Sequence, residues 1–262
     1  MRKIGVIDIG TNTVRAVGYN TDVKPVCETV FESNILKHTK NGILSKTGIK
    51  ELSLVIKKEI EFFYENKISE IYAFATSAMR DVKNFDEVNE NCDIEIELLS
   101  EEDEAMCDFL ALTNELGENS SGVGIDLGGG SCQIIAFNEG KVEFFSSFPI
   151  GVKRLYNRFG KYNSQKKNEI LKYIESVVGD VPKSDCLYVM GGTGKKIRSI
   201  LKTGEFLINQ LDNDALFDEN YQDKYSAINT IPYGALVIKY MAQNKIKIMD
   251  CGSRDGFVVG KL

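Results

Sequence analysis

Blocks of apolar and polar positions predict strands and helices that occur in a similar order in each half of the chain. In the first half, three short apolar runs separated by turn residues predict consecutive strands at 3–9, 14–19 and 23–32. The polar, Gly-containing residues 33–47 predict a loop. The elements predicted after this loop are a helix at 48–66, a strand at 71–75, a helix near 84–90, a strand at 94–98 and a helix at 101–115.

The second half predicts a similar succession. Strands are expected at 122–127, 131–137 and 141–148, with Asn138-Glu139-Gly140 as a hairpin turn. The later predicted elements are helices near 150–158 and 164–178, a strand at 186–190, a helix at 191–202, a helix at 232–244, a strand at 246–249 and a short helix from 254. Residues 204–226 receive no assignment. Three strands followed by mixed helices and strands, twice over, predict two α/β domains. Their expected bounds are 1–118 and 119–262, with a C-terminal helix at 253–262 that could belong to the first.

One turn occurs twice. Ile7-Asp8-Ile9-Gly10-Thr11-Asn12-Thr13 matches Ile125-Asp126-Leu127-Gly128-Gly129-Gly130-Ser131, which begins 118 residues later. In each copy a buried strand ends near an aspartate, and a Gly- and hydroxyl-rich turn precedes the next strand. Such turns leave backbone N–H groups available to an anion, and the aspartate can hold a divalent cation or its water shell. The pair predicts two phosphate-binding loops that face each other across a cleft.

Charge and composition limit the classes of function. The 262 residues are 43% hydrophobic and 27% charged, and the formal net charge is −6. An acidic chain is a poor general nucleic-acid binder, so a polyanion would require locally concentrated cations or a bound metal ion. The first apolar run is interrupted by Asp8, so neither a signal peptide nor a membrane helix is predicted and we expect a cytoplasmic protein. The sequence leaves a homodimer open.

Cysteine and histidine chemistry is not favoured. The six cysteines are scattered without a Cys-x-x-Cys pair, which is typical of reduced, buried thiols. His38 is the only histidine and falls in the predicted loop, so a nucleophile activated by histidine is a poor interpretation.

Carboxylates and arginines at predicted strand ends are better candidates. Ser100 is expected to cap the helix that starts with Glu101-Glu102-Asp103-Glu104, and one of these carboxylates could act as a general base toward water. Arg80 also follows a strand end and could bind a phosphate, although a salt bridge is the more common role of a lone arginine. Arg15 has the same strand parity as Thr13, so both side chains should share a face.

A second Gly-rich turn, Gly191-Gly192-Thr193-Gly194-Lys195, fits neither the Walker A spacing nor the dinucleotide-binding pattern. It is equally compatible with close backbone packing and with ligand contact.

Taken together and in order, these pieces resemble the exopolyphosphatase and guanosine pentaphosphate phosphatase (Ppx/GppA) family of the actin-like ATPase superfamily. The resemblance extends to Pro149-Ile150-Gly151-Val152-Lys153-Arg154 and to Cys251-Gly252-Ser253-Arg254-Asp255-Gly256. It implies two ribonuclease H-like α/β domains related by duplication, with an inter-domain cleft. It also implies hydrolysis of a terminal phosphoanhydride in inorganic polyphosphate or a guanosine penta- or tetraphosphate, with Mg²⁺ as cofactor.

The same resemblance implies roles for individual residues. Glu104 would be the catalytic base, and Asp8 and Asp126 would be the metal residues. The implied phosphate-binding residues are Gly10, Thr11, Asn12, Thr13, Arg15, Arg80, Gly128, Gly129, Gly130, Ser131, Arg154, Gly191, Gly192, Thr193 and Arg254. The chain departs from the family pattern at Gln133, where glutamate is common, and at Glu101, where glycine is common. These departures leave open a protein that binds a phosphorylated nucleotide or polyphosphate without hydrolysing it. A kinase on the same fold is a third hypothesis, without a clear acceptor site.

Overall fold

The computed structural model describes residues 2–10, 13–33, 35–218 and 229–262. These residues form two compact units, one containing residues up to Glu104 together with Phe257–Leu262, and the other Ala105–Gly256. The domain boundary predicted between 118 and 119 stays a prediction. In the described part of the chain, no helix is both long and apolar enough to cross a membrane.

The first unit is built on a sheet whose described strands have the order β3-β2-β1-β6-β7. Strands β1, β2 and β3 are antiparallel neighbours, whereas β6 and β7 run parallel to β1. The elements are β1 (Lys3–Ile9), β2 (Thr13–Asn20), β3 (Pro25–Glu32), α1 (Ile35–His38), β4 (Thr39–Lys40), β5 (Ile43–Leu44), α2 (Lys46–Glu65), β6 (Glu70–Ala75), α3 (Ser77–Arg80), α4 (Phe85–Glu90), β7 (Ile96–Leu98) and the start of α5 (Glu101–Leu116).

Alternation along β1 decides where its aspartate lies. Ile7 and Ile9 belong to the core beneath α2, and the Phe63 ring packs so closely on Gly5 that a β-carbon there would lie 2.9 Å from it. Asp8 is on the other face of the sheet, because successive strand residues point to opposite sides. On the face opposite α2, the Phe257 ring packs on Phe74 with centroids 4.8 Å apart.

The second unit repeats this sheet and extends it. Its described strands have the order β10-β9-β8-β11-β13-β12, with β8, β9 and β10 antiparallel and β11 and β13 parallel to β8. The elements are β8 (Gly122–Leu127), β9 (Cys132–Asn138), β10 (Lys141–Phe148), α6 (Val152–Phe159), α7 (Lys167–Val178), β11 (Cys186–Met190), α8 (Gly191–Leu201), β12 (Glu205–Leu207), α9 (Ile231–Met241), β13 (Lys245–Ile248) and α10 (Ser253–Val259), with 3-10 turns at Ser164–Lys166, Ile208–Asp212 and Asp214–Leu216.

The two faces of this sheet have different neighbours. Val123, Ile125 and Leu127 lie in the core with the apolar residues of α6, α7 and α9. On the other face, a β-carbon on Gly124 would lie 2.4 Å from the Leu112 side chain of α5. Asp126 has the parity of Gly124, so its carboxylate lies on the face covered by α5.

The predicted elements are confirmed with small shifts at their ends, but the loop predicted at 33–47 is wrong. That segment contains α1 and the β4–β5 hairpin. Its turn is Asn41-Gly42, with φ of 53° and 79°, which is the conformation that favours these residues in two-residue hairpins. Ile35 and Leu44 are buried and hold the hairpin on the core. The sequence contains the Asn41-Gly42 pair, which is typical of a hairpin, but the polar residues around it led to the prediction of a loop.

Glu59 gives a stability prediction for the first unit. Its side chain is fully buried in α2, neither carboxylate oxygen has a hydrogen-bond partner among the described residues, and burial raises its pKa from 4.5 to about 8. The folded state therefore binds a proton that the unfolded state releases, so stability should fall as pH rises from 4.5 toward 8. We expect Glu59→Gln to stabilise the protein by about 3 kcal/mol near neutral pH and by almost nothing in acid.

Urea unfolding at several pH values measures this difference. Glu61→Gln is the matched control, because Glu61 lies two residues away on the same helix and is exposed. An equal effect of Glu59→Gln at acid and neutral pH would contradict the prediction.

Candidate active site

The turn after β8 presents its amides to one side. Residues 151–153, at the start of α6, donate backbone N–H groups to the carbonyls of the turn, at 3.0 Å for Gly128, 2.9 Å for Gly129 and 3.3 Å for Gly130. In a trans peptide the carbonyl and the next N–H point in opposite directions. The amides of Gly129, Gly130 and Ser131 therefore point away from α6, in the arrangement that binds anions.

Gly151 makes this packing possible. A β-carbon on Gly151 would lie 2.4 Å from the backbone of Gly129 and Gly130. The Gly128 amide differs from its neighbours, because it closes the turn on Ser131 O at 3.1 Å. Of the residues predicted to bind phosphate here, Gly128 thus has a structural role through its N–H group, whereas the next three have amides on the open side.

The first copy of the turn is closed by the equivalent bond. Gly10 N donates to Thr13 O at 2.9 Å, as Gly128 N does to Ser131 O. Strand register is also duplicated, since Asp8 pairs with Arg15 and Asp126 pairs with Gln133. Directly paired residues of antiparallel strands share a face. Thr11 and Asn12, both predicted to bind phosphate, lie outside the described residues.

Asp126 lies close to the start of α8. A β-carbon on Gly191 would lie 2.5 Å from Asp126 Oδ1, and Gly191 has a φ of 88°. Ser253 Oγ donates to Asp126 Oδ2 at 3.4 Å. Gly191 is therefore a position of close packing, whereas a β-carbon on Gly192 would meet no atom within 4 Å. Thr193 is mostly buried, and its methyl group packs against Gly234.

The structure distinguishes the four acidic residues at the start of α5. Ser100 caps the helix as predicted: Ser100 Oγ accepts from Asp103 N at 3.0 Å and donates to the Asp103 carboxylate at 2.7 Å. Glu101 and Glu102 are exposed. Glu104 is 8% exposed, and its carboxylate lies 2.9 Å from Arg80 Nη1. Glu104 is therefore the acidic side chain that is both sheltered and held in place.

Arg80 also contacts the backbone. Its Nη1 donates to Leu99 O at 2.9 Å as well as to Glu104, while its buried Nη2 has no hydrogen-bond partner among the described residues. Arg80 lies at the end of α3, directly after β6, as expected. Its observed contact is with the candidate base, so the salt bridge considered for a lone arginine is present.

The other predicted arginines differ in their surroundings. Arg15 Nη1 lies 3.8 Å from Glu28 at the surface. Arg154 is exposed, and its Nε donates to Gly130 O at 3.1 Å, so it ties α6 to the turn. Arg254 is partly buried in the first turn of α10.

Two residues add to the predicted set. Asp108 in α5 is completely buried. The pKa of the nearby Cys132 thiol is raised, first by the burial of that thiol and then by the carboxylates of Asp126 and Asp108. Asp108 thus lies in the same electrostatic environment as Asp126. The sequence feature that could have identified it is a carboxylate among the apolar positions of α5. Gln133 is 2% exposed, and its Nε2 donates to Ser131 Oγ at 2.9 Å.

The arrangement of the carboxylates bears on metal binding. Within residues 2–10, 13–33, 35–218 and 229–262, no three Asp, Glu, His or Cys side chains are grouped so as to hold a metal ion. Mg²⁺ does not need such a group, because it commonly binds one or two carboxylates together with water and substrate phosphates. Asp126, a carboxylate at a strand end beside the amides of the turn, fits that kind of site.

Comparisons with known proteins agree with these observations. Exopolyphosphatase 1 of Mycobacterium tuberculosis is 29% identical over 166 residues, which are 58% of this chain and 47% of the relative. The corresponding protein of Mycobacterium leprae is 27% identical over 166 residues, or 48% of its length. The chain thus spans about half the length of the curated relatives it matches.

Solved structures show the fold. The Aquifex aeolicus Ppx/GppA family member superposes with a TM-score of 0.83 at 21% identity, over 99% of this chain and 97% of that one. An exopolyphosphatase from Cytophaga hutchinsonii gives 0.81 at 19% identity, over 99% and 97% of the two chains. The predicted fold class, two actin-like α/β domains, is confirmed. Residues 36–220 match the model of the Ppx/GppA phosphatase family, and the chain therefore belongs to that family.

Proposed function

We propose that this protein is a hydrolase that releases the terminal phosphate of inorganic polyphosphate, a guanosine pentaphosphate or both, with a water molecule activated by Glu104. The observation that carries the proposal is the turn at 128–131, in which the carbonyls of three consecutive residues accept from α6. Three successive amides are thereby left on the open side, where they suit a phosphate group. The family's exopolyphosphatases, of which this chain spans about half, support the reaction class.

Glu104 is the proposed general base. It is sheltered, and Arg80 fixes one carboxylate oxygen at 2.9 Å, which leaves the carboxylate in a defined orientation. Positioning matters because phosphoryl transfer depends mainly on in-line placement of water and on charge stabilisation. Glu104 would accept the proton of the attacking water, while the amides of Gly129–Ser131 hold oxygens of the phosphate. That Glu104 and this turn act on the same phosphate is part of the proposal.

Mg²⁺ is the proposed cofactor, held by Asp126 and aided by Asp8, each at the end of a strand. When bound, the cation would neutralise negative charge on the phosphate oxygens. Ser253 and Gly191 would keep the Asp126 carboxylate in place, the first through its hydroxyl and the second by close packing.

Phosphate release from long-chain polyphosphate, guanosine pentaphosphate and guanosine tetraphosphate tests the proposal. We expect phosphate to be released from at least one substrate in the presence of Mg²⁺ and not in the presence of EDTA. The absence of release from every substrate with Mg²⁺ present would end the hydrolase proposal.

Gln133 supports a second candidate, a protein that binds such ligands without hydrolysing them. The buried amide donates to Ser131 at the position where the family commonly has a carboxylate. Unchanged guanosine pentaphosphate after long incubation, together with a rise in Tm on binding it, would favour this candidate.

A further inference from the structure

The chain has a cationic segment beside the turn proposed to bind phosphate. Its net charge is −6, yet residues 144–168 contain no aspartate or glutamate. The same segment contains six basic residues: Lys153, Arg154, Arg158, Lys161, Lys166 and Lys167. An acidic protein that binds a polyanion must gather cations locally, and this segment does so.

Three of these cations are exposed, and we call them the α6 cationic face: Arg154 and Arg158 on α6, and Lys161 just beyond its end. Arg154 and Arg158 are four residues apart, so their side chains lie on one side of the helix. The helix ends at Phe159, and Lys161 follows Gly160, whose φ is 74°. Lys167 instead pairs with Asp212 at 3.4 Å.

No carboxylate among the described residues neutralises this face. Arg2, Arg15 and Arg198 each have an acidic partner, whereas none is found there for Arg154, Arg158 or Lys161. Like charges four residues apart destabilise a helix. An anionic ligand along the α6 cationic face would remove that repulsion.

The face begins at the phosphate turn and its arginines are held in place. Arg154 Nε donates to Gly130 O at 3.1 Å, so the first cation of the α6 cationic face is attached to the turn. Arg158 stacks on the Tyr173 ring, with its guanidinium carbon 4.1 Å from the ring centroid. Stacking uses the face of the guanidinium and leaves its N–H edges to bind phosphate oxygens.

We propose that the α6 cationic face binds the part of a linear polyphosphate that extends beyond the phosphate held by the turn. The proposal rests on the proposed function and makes a long polyphosphate, rather than a guanosine phosphate, the ligand that uses the whole surface. Repeated charges suit a repeated anion.

Binding of long polyphosphate and of tripolyphosphate by the full chain, measured at several salt concentrations, tests this. We expect the double variant Arg158→Gln/Lys161→Gln to weaken binding of the long polymer about tenfold and to lower its salt dependence. Tripolyphosphate binding and the rate of phosphate release from tripolyphosphate should stay within about twofold. The matched control is Lys24→Gln/Lys141→Gln, which removes the same charge at exposed sites in a turn and in β10.

The outcomes separate the two proposals. If wild type binds the long polymer and the double variant loses nothing, or loses equally for both lengths, the cationic face is not the binding surface and the hydrolase proposal stands. If wild type neither binds nor hydrolyses polyphosphate of any length, both proposals fail. Tighter wild-type binding of single-stranded RNA than of long polyphosphate would overturn the assignment of this face to polyphosphate.

Discussion

Replacement of Glu104 by glutamine is expected to lower kcat for phosphate release by about 10²- to 10⁴-fold, the usual contribution of a general base. Glutamine keeps an oxygen that can accept from Arg80 Nη1, so the 2.9 Å contact can persist. It cannot take a proton from water at neutral pH. The change therefore removes the proposed chemical step while it preserves shape, and Kd for the substrate should stay within about threefold.

Steady-state kinetics and a direct binding measurement check this result together. Glu102→Gln is the matched control, since Glu102 is exposed in the same helical turn and should be replaceable with little effect. Retention of more than a third of the wild-type kcat by Glu104→Gln would remove Glu104 from the proposed role. Equal losses in both variants would indicate a general effect of charge at the start of α5.

The parts of the site that sequence could predict are the parts defined by local pattern. Strand parity predicts that Thr13 and Arg15 share one face, and β2 contains both residues. The register of β1 and β2 adds Asp8 to the face of Arg15. The repeat makes Gln133 the equivalent of Arg15, and Gln133 pairs with Asp126 in the same way. Local capping chemistry likewise identified Ser100 as the start of α5.

Contacts between distant segments could not be predicted in this way. No local pattern among the four consecutive acidic residues singles out Glu104, which only the family resemblance identified. Its physical distinction comes from burial and from Arg80, 24 residues earlier. The hydrophobic periodicity of the sequence likewise does not predict that α6 packs on the turn at 128–131. It depends on Gly151 and on backbone hydrogen bonds across more than twenty residues.

This long-range packing leads to the second large expected effect. Gly151→Ala should lower kcat/KM by about 10²-fold, the loss that a displacement of about 1 Å at a reacting group can cause. Gly151 has a φ of −57°, which alanine adopts freely, so the effect would come from sterics alone. The new methyl group would lie 2.4 Å from the Gly129 and Gly130 backbone, which must move with the amides it carries.

Kinetics and urea unfolding of the same sample separate local displacement from global destabilisation. Overpacking of this kind costs about 1–3 kcal/mol, which should leave the variant folded at room temperature. Gly204→Ala is the control, because its β-carbon would lie 3.3 Å from the flexible Arg198 side chain and would disturb no backbone. A folded Gly151→Ala protein with wild-type kcat/KM would show that the turn at 128–131 does not position the phosphate. The turn would then be structural, because its amides could shift without loss of turnover.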